Sequence, residues 1–497
     1  MRILTVLPLL SVALAAAAPQ KAISPHAVVA DIQQSALMDN LARLARIAEN
    51  NGGNRAFGLP GYRASVDFVL ERLAKFGRTV DFHEQAFQAL FAIVDDIQLS
   101  AVGGEDVYVF GLTYSPSTVP GGVTAELVLA PDGLEGCSAA GFDGRDVKDK
   151  IVLTQRFRCP DGTTLGGRVR AAVAAGAVAV IVYHDLPTKP TAGTPSAPDP
   201  VGYRSAGFIN KADGEAWRAR IEAGETIQVN FRHLQTIENR TTWNVIAETK
   251  GGDPSSVIVL GAHLDSVQAG PGVNDDGSGT SLIMELLAST QQYRPNLKLR
   301  FCWWGAEENG LLGSKHYVAA LPARDLQNIR AYLNFDMVSR GYFGVFDGDG
   351  STHGLAGAAG SGVIEALLAE YLEKKEHVTV TPAVFTGGSD YASFMSQGIP
   401  VGGLHTGTGV EQDACYHQEC DGYGNANATV LAKNARTAGH VMARLAIDGK
   451  KLIPKWNSTA AVADRRSGMS AMLVNDQGFA WGVEEGGRHT GCELGDE

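Results

Sequence analysis

Residues 261–279 read GAHLDSVQAGPGVNDDGSG and directly follow the apolar run 257–260, which reads VIVL. β-Branched residues dominate this run, so it predicts a buried strand of a parallel α/β sheet. The strand ends at His263, the loop after it carries Asp275 and Asp276, and a helix is predicted next. Ligands of open α/β sheets bind beyond the carboxyl ends of the strands. The stretch therefore predicts an α/β fold with these side chains at its ligand edge.

Two further predicted strands also end in acidic residues. Residues 299–304 precede Glu307 and Glu308, and residues 331–334 precede Asp336. The carboxyl ends of parallel strands meet at one edge of the sheet, so these carboxylates should crowd together with the histidine. Such a cluster is strongly repulsive unless cations neutralise it. Mixed His, Asp and Glu ligation predicts zinc, with manganese or cobalt as alternatives.

A second imidazole is needed to complete a site of this kind, and the sequence offers two candidates. His417 lies within the motif ACYHQEC at 414–420, where two cysteines could stiffen the loop. His405 lies in GLHT and follows a predicted strand. Strand-end position favours His405, whereas the flanking cysteines favour His417. The residues alone leave both open.

Composition limits the classes of function. The chain has 497 residues, with 42 Lys and Arg against 54 Asp and Glu, a net charge of -12. An acidic surface argues against nucleic acid as a partner, since phosphate binding requires basic patches. Residues 1–18 have the charge, short apolar run and small residues of a secretory signal peptide. No later segment approaches about 20 apolar residues, so no membrane span is predicted.

Secretion governs how the six cysteines are interpreted. An oxidising compartment favours disulfides over zinc–thiolate sites. We expect the pairs 137–159 and 415–420, and a buried free thiol at Cys302. Cys492 is unassigned. Glycosylation sequons begin at Asn239, Asn427 and Asn457.

Changes in texture along the chain predict its domain organisation. Helical periodicity near residues 36–48 and 62–76 precedes a region of short Val-rich strands and Gly/Pro turns. Residues 19–35 could be a trimmed leader or a loose arm. The predicted units are a signal peptide at 1–18, an N-terminal part of the catalytic domain at 19–99, an inserted domain at 100–238, the catalytic domain at 239–452 and a tail at 453–497.

Five motifs then carry a resemblance. In chain order within residues 243–450 they are GAHLDS, VNDDGSG, WGAEENGLLGS, LNFDM and CYHQEC. Together they resemble the di-zinc aminopeptidases, which include secreted bacterial and fungal leucyl aminopeptidases and the vacuolar aminopeptidase Y. The resemblance implies a central mixed, mostly parallel sheet flanked by helices. Residues 100–238 resemble the β-rich protease-associated domain that such enzymes carry as an insert.

The resemblance also implies a ligand set for two zinc ions. His263 and Asp336 would bind one ion, Glu308 and His417 the other, and Asp275 would bridge them. It is this resemblance that selects His417 over His405. Asp265 would orient the His263 imidazole, and Asp276 would support the loop.

The same resemblance gives roles to two further residues. Glu307 would act as general base toward a zinc-activated water, and Tyr416 would donate a hydrogen bond to the oxyanion. Residues 387–391 resemble a substrate-pocket loop, but Gly388 stands where some relatives carry an arginine. The expected substrate is a peptide with a free, bulky apolar N-terminal residue.

Other readings of the same pattern remain at this stage. A carboxypeptidase of the glutamate-releasing type, a one-zinc glutaminyl cyclase and a non-catalytic binding protein could share the scaffold. Retention of all six metal-site and base residues argues against the binding protein. We expect a secreted monomer, with the vacuole lumen as the alternative location.

Overall fold

The computed structural model describes residues 20–161, 163–193, 199 and 201–456. The predicted signal peptide at 1–18, the sequon at Asn457, Cys492 and almost all of the predicted tail lie outside the described residues. Among the described helices, none is long and apolar enough to cross a membrane.

The strands of the described chain are mostly short, with two exceptions of 22 residues each. In chain order they are Lys21–Ala22, Val80–Ala101, Val109–Gly111, Val123–Leu129, Ile151–Gln155, Ala179–Tyr183, Ala206–Ile209, Gln228–Thr249, Asp253–His263, Tyr293–Arg294, Leu297–Trp304, Ile329–Phe335, Phe343–Phe346, Val380–Ala383 and Val401–His405.

The α-helices alternate with these strands in the second half of the chain. They are Pro25–Asp31, Gln34–Asn50, Pro60–Ala74, Gly166–Ala174, Lys211–Glu222, Gly277–Ser289, Leu312–Ala320, Ala323–Asn328, Ser361–Tyr371, Tyr391–Met395, Gly409–Gln412 and Ala428–Leu452.

The strand Asp253–His263 lies at the centre of the catalytic part of the sheet. It pairs in parallel with Leu297–Trp304 on one side and with Ile329–Phe335 on the other. The register places Trp304 beside His263 and Asn334 beside Gly261. The three strands therefore end together, and the residues after them meet at one edge.

Alternate residues of the central strand face opposite layers. Ile258 and Leu260 belong to the apolar core that includes the helices Gly277–Ser289 and Ala428–Leu452. Val257 and Val259 belong to the core on the other face. Helices thus cover both faces of the sheet, which explains why the strand reads as a continuous apolar run.

The start of the helix Gly277–Ser289 is fixed by its first residues. The Asp276 carboxylate accepts a hydrogen bond from the Gly279 amide at 2.8 Å, which caps the helix. A Cβ atom at Gly279 would lie 1.9 Å from the Phe335 carbonyl oxygen, so only glycine fits there. The DDGSG sequence therefore packs this helix directly against the neighbouring strand end.

Two long strands connect the catalytic part of the sheet with the insert. Val80–Ala101 and Gln228–Thr249 pair in antiparallel fashion along their length, with one irregularity between Val94 and Asp96. Val80–Ala101 extends over 22 residues because it pairs along its length with a strand about 150 residues away. Within the described residues the sheet has thirteen strands and runs without a break from Val380–Ala383 to Val109–Gly111.

Both expected disulfides are present, between Cys137 and Cys159 and between Cys415 and Cys420, and Cys302 is a buried free thiol. The alternative of a loose arm before residue 35 is wrong for residues 20–35. There the strand Lys21–Ala22 pairs with Tyr293–Arg294, and Val28 is fully buried in the main core.

Candidate metal centre

Acidic and histidine side chains converge at the shared strand edge. Three strand ends and one loop deliver them, and each is buried, with at most 8% of its surface exposed. They are His263, Asp275, Glu307, Glu308, Asp336 and His417. The side chains separated by up to 154 positions in sequence thus form one cluster.

Asp275 lies at the centre of this cluster. Its Oδ1 atom is 3.1 Å from Nε2 of His263, and its Oδ2 atom is 3.2 Å from Nε2 of His417. Burial opposes ionisation of Asp275, but the two imidazoles more than offset it and hold the pKa of this carboxyl well below its usual range. Asp275 is therefore an ionised carboxylate with each oxygen directed at a different histidine.

Glu308 and Asp336 complete two three-residue groups that share Asp275. Each group contains one of the two histidines. Glu308 Oε2 is 3.1 Å from His417 Nε2, and Asp336 Oδ1 is 3.6 Å from His263 Nε2. Ligand atoms about 2.0–2.2 Å from a tetrahedral zinc lie about 3.3–3.6 Å from one another. The donor atoms of the cluster lie 3.1–3.6 Å apart, which is close to this spacing. Glu308 Oε1 is buried without a hydrogen-bond partner, as expected of a ligand atom.

Asp276 also has a carboxylate oxygen near His263 and Asp336. Its oxygens, however, accept backbone hydrogen bonds from His263 at 3.0 Å, Gly279 at 2.8 Å and Met337 at 3.1 Å. These bonds tie the loop, the helix start and the third strand end together. Asp276 is accordingly a structural anchor, and Asp275 is the residue directed into the cluster.

Asp265 contacts His263 and the backbone of both glutamates of the cluster. Its backbone carbonyl is 3.2 Å from Nδ1 of His263, and its carboxylate is 3.6 Å from the same atom. The carboxylate also accepts the backbone amides of Glu307 at 3.1 Å and Glu308 at 3.3 Å. Asp265 thus does more than the predicted orientation of the imidazole, because it also fixes the turn that carries both glutamates.

Glu307 lies beside the paired groups. Its Oε2 atom is 3.9 Å from His263 Nε2, farther than the ligand-type contacts. Burial raises the pKa of Glu307 well above its ordinary value, and the carboxylates of Asp390, Asp336 and Glu308 add to this while His263 opposes it. A buried carboxyl group with a raised pKa is of the kind that serves in proton transfer.

The two candidate histidines occupy different positions. His417 faces Asp275 and Glu308, whereas Nδ1 of His405 lies 2.9 Å from the backbone carbonyl of Asp336. His405 instead lines the cavity next to the cluster. Tyr416 lines the same cavity and stacks on His417, with 3.8 Å between the ring centres.

Comparison with known proteins identifies the family. Residues 244–442 match the family described as Peptidase family M28, and residues 123–217 match the PA domain. Leucine aminopeptidase 2 of Arthroderma otae is 37% identical over 412 residues, which cover 79% of this chain and 80% of that protein. A probable leucine aminopeptidase 2 of Aspergillus oryzae is 36% identical over 464 residues, 89% and 90% of the two chains. The chain belongs to peptidase family M28.

Solved structures agree with this membership. The aminopeptidase from Aneurinibacillus sp. strain AM-1 has a TM-score of 0.71 and 27% identity, over 87% of this chain and 99% of that chain. A zinc aminopeptidase from Bacillus subtilis has a TM-score of 0.66 and 23% identity, over 86% and 98%, and supports the fold. The predicted fold class, the protease-associated domain and the metallo-aminopeptidase activity are confirmed. The insert boundaries at 100 and 238 stay a prediction.

A buried network that the sequence did not predict lies behind the cluster of this M28 chain. Asp421 accepts the backbone amides of Asn274 at 2.9 Å and Asp275 at 3.0 Å. Asp413 accepts the Asn274 side-chain amide at 2.7 Å, and Asn425 donates to both aspartates. The network fastens the His417 loop to the Asp275 loop. The aspartates on either side of the CYHQEC motif were its only signal in the sequence.

A second missed contact holds Asp336. The Ser389 hydroxyl donates to Asp336 Oδ2 at 2.5 Å, and the Asn334 amide donates to Ser389 Oγ at 2.8 Å. The 387–391 loop, which the sequence linked to substrate, therefore also orients a carboxylate of the M28 cluster. A cavity of about 580 Å³ opens between this loop and the cluster.

Proposed function

We propose that the cluster holds two zinc ions and that the chain removes bulky apolar residues from the free N-termini of peptides. The observation that carries this proposal is Asp275, whose two carboxylate oxygens face two different imidazoles at 3.1 and 3.2 Å. A single ion would leave one of those oxygens facing a histidine with no cation between them. Two ions would account for both.

The donor set assigns the ligands as two groups around that bridge. His263 and Asp336 would hold one ion, and Glu308 and His417 the other. The zinc identity is supported by the mixed imidazole and carboxylate donors and by the zinc aminopeptidase of Bacillus subtilis that shares this fold. Bound there, the ions would supply Lewis acidity toward the scissile carbonyl and lower the pKa of water.

Glu307 is the proposed general base. It is buried, it makes no ligand-type contact, and its Oε2 atom reaches into the cluster beside His263. It would accept a proton from the attacking water and hand it to the nitrogen of the departing peptide. Tyr416, which lines the cavity, would donate a hydrogen bond from its hydroxyl to the oxyanion that develops on the scissile carbonyl.

The cavity beside the cluster supports the proposed preference for a bulky apolar residue. Its apolar lining includes Met337, Ala383 and Val384, and the ring centres of Phe346 and Tyr391 lie 4.8 Å apart at its wall. The curated relatives in Arthroderma otae and Aspergillus oryzae are described as leucine aminopeptidases. A leucine side chain would gain about 1.5–3 kcal/mol from burial in such a pocket.

Secretion is part of the same proposal. Two disulfides are expected in an oxidising compartment and not in the cytosol. Together with the signal-like residues 1–18, they favour export, with a vacuole lumen as the other oxidising destination. The expected product is a monomer acting on peptides.

The test combines activity with metal counting. We expect the purified chain to hydrolyse leucine-4-nitroanilide, to lose activity on chelation, and to regain it when zinc is restored. Native mass spectrometry of the active protein should show two zinc ions per chain. One zinc with cyclisation of N-terminal glutamine would favour a glutaminyl cyclase instead. An inactive chain with both ions bound would contradict the proposal.

A further inference from the structure

A second cavity also reaches the metal centre, at Glu308. It has a volume of about 830 Å³, and the two cavities share Glu308 in their walls. Its walls come from both parts of the chain. The insert and the long strands contribute Ile93, Val94 and Phe110, and the catalytic part contributes Val267 and Asn309.

Direct hydrogen bonds hold the insert against the ligand-bearing loop. The Thr191 hydroxyl donates to the His417 carbonyl at 2.6 Å, and the Gln418 amide donates to Thr191 Oγ1 at 3.1 Å. On the other wall, the Gln268 amide donates to the Ala92 carbonyl at 2.8 Å. The insert is therefore a fixed wall of this cavity and lies beside a proposed zinc ligand.

The lining of this second cavity is apolar and amide-like. Among the described residues that form it, Glu308 is the one that carries a charge, and its carboxylate belongs to the metal centre. Half-buried Ile93, Val94 and Phe110 present apolar surface. Asn309 offers an amide group that can pair with a peptide backbone, whereas the Gln235 amide is held by the Leu112 and Ser115 carbonyls.

The reaction itself requires such a space. An aminopeptidase substrate has one residue on the amine side of the scissile bond, and everything else lies on the leaving side. If the first cavity holds the N-terminal residue, the remaining peptide must exit past Glu308. We infer that the second cavity binds the residues that follow the scissile bond, with the insert selecting an apolar second residue and disfavouring an acidic one.

This inference rests on the proposed aminopeptidase activity. The turnover of leucinamide distinguishes a failure of that activity from a failure of the second cavity to bind substrate. Leucinamide has no second residue, so it reports on the catalytic centre alone, whereas leucyl-phenylalanine and leucyl-aspartate also report on the second cavity. For the wild-type chain we expect kcat/KM for leucyl-phenylalanine to exceed that for leucyl-aspartate by about ten-fold or more. Failure to cleave leucinamide would count against the proposed function and not against the subsite.

A charge inserted into the wall sharpens the test. Phe110→Arg should lower kcat/KM for leucyl-phenylalanine about ten-fold. The ratio of kcat/KM for leucyl-aspartate to that for leucyl-phenylalanine should rise. The kcat/KM for leucinamide should stay within about two-fold of the wild-type value. Val119→Arg places the same charge on a residue of the insert that is 65% exposed, away from the cavity, and should change none of the three. Ile93→Arg, on a different strand, repeats the test should Phe110→Arg not fold.

Two results would overturn the inference. One is equal turnover of the two dipeptides by the wild-type chain. The other is a parallel change of leucinamide and both dipeptides in a folded Phe110→Arg or Ile93→Arg variant, because that pattern would place the effect in the catalytic centre.

Discussion

The catalytic part and the insert belong to one continuous sheet, yet their buried histidines His263 and His233 have opposite electrostatic surroundings. At the catalytic edge, carboxylates and imidazoles crowd within 4 Å of one another. In the insert, His233 is fully buried, with Nδ1 3.1 Å from the Ser205 hydroxyl and Nε2 without a partner. Burial lowers the pKa of His233 to about 4, so its ring stays neutral. The imidazole of His233 thus gives up its charge in isolation, whereas the catalytic edge holds buried groups of opposite charge together.

The largest effect on activity should come from Glu307, the one carboxyl of the six-residue cluster that we do not assign as a ligand. Glu307→Gln removes the proposed base without removing a proposed zinc ligand. We expect kcat to fall by about 10²–10⁴-fold, because general acid–base catalysis contributes that much, while the zinc content stays the same. Leucine-4-nitroanilide turnover and elemental analysis of the same sample measure the two quantities.

Glu285→Gln is a matched control for that variant. Glu285 is also buried, and burial also raises its pKa, but it lies on the helix Gly277–Ser289 and accepts the Gln33 amide. A glutamine can accept the same bond, so activity should stay near that of the wild type. Equal loss of activity in both variants, or loss of zinc from Glu307→Gln, would show that Glu307 is not specifically the base.

A smaller effect is expected at Asp421, which does not bind the metal itself but holds the loop of Asp275 by hydrogen bonds. Asp421→Asn leaves one oxygen for three donors and places its NH2 group against the backbone amide of either Asn274 or Asp275. Residues that position metal ligands typically contribute about 10–100-fold to metal affinity. We therefore expect zinc affinity, measured by chelator competition, to fall by about that factor.

At saturating zinc the Asp421→Asn variant should recover most of its kcat, since no proposed ligand or base has changed. Asp96→Asn is the control, because its carboxylate pairs with Arg232 on the surface of the long strands, 2.9 Å away. Unchanged zinc affinity in Asp421→Asn would indicate that the loop holds its position without this network.

The smallest effect on activity is expected for a change at His233 in the insert. That change should alter the pH dependence of the free energy of unfolding instead. The folded-state pKa of His233 is lowered to about 4, below the value of about 6.5 in an unfolded chain. The unfolded chain therefore binds this proton first, and stability falls as pH drops from about 6.5 toward 4. The shift corresponds to about 3 kcal/mol at the lower limit.

His233→Gln should reduce that pH dependence. The measurement compares the thermal unfolding of wild type and variant at pH 7 and pH 5, so that contributions from other groups cancel. The wild type should lose more stability between the two pH values. Identical losses would mean that His233 is protonated in the folded chain, and the contrast between the two regions would then fail.

The fold and much of the cluster could be predicted because their signals are local. The apolar run 257–260 with its polar strand end predicted a buried strand, and both cysteine pairs were expected from neighbourhood and compartment. The extent of Val80–Ala101 could not be predicted in this way, because its partner strand is distant in sequence. The supporting network of Asp413 and Asp421 was missed for a similar reason, since turn aspartates have no distinctive pattern.

The sequence by itself determined which donors this protein can offer to a metal, because residue identity and strand-end position are local properties. Only the tertiary structure decided that His417, and not His405, faces Asp275 and Glu308. It also decided that the insert forms a wall beside Glu308. These relations depend on strand register and loop packing between residues more than a hundred positions apart, and a linear pattern does not encode such distances.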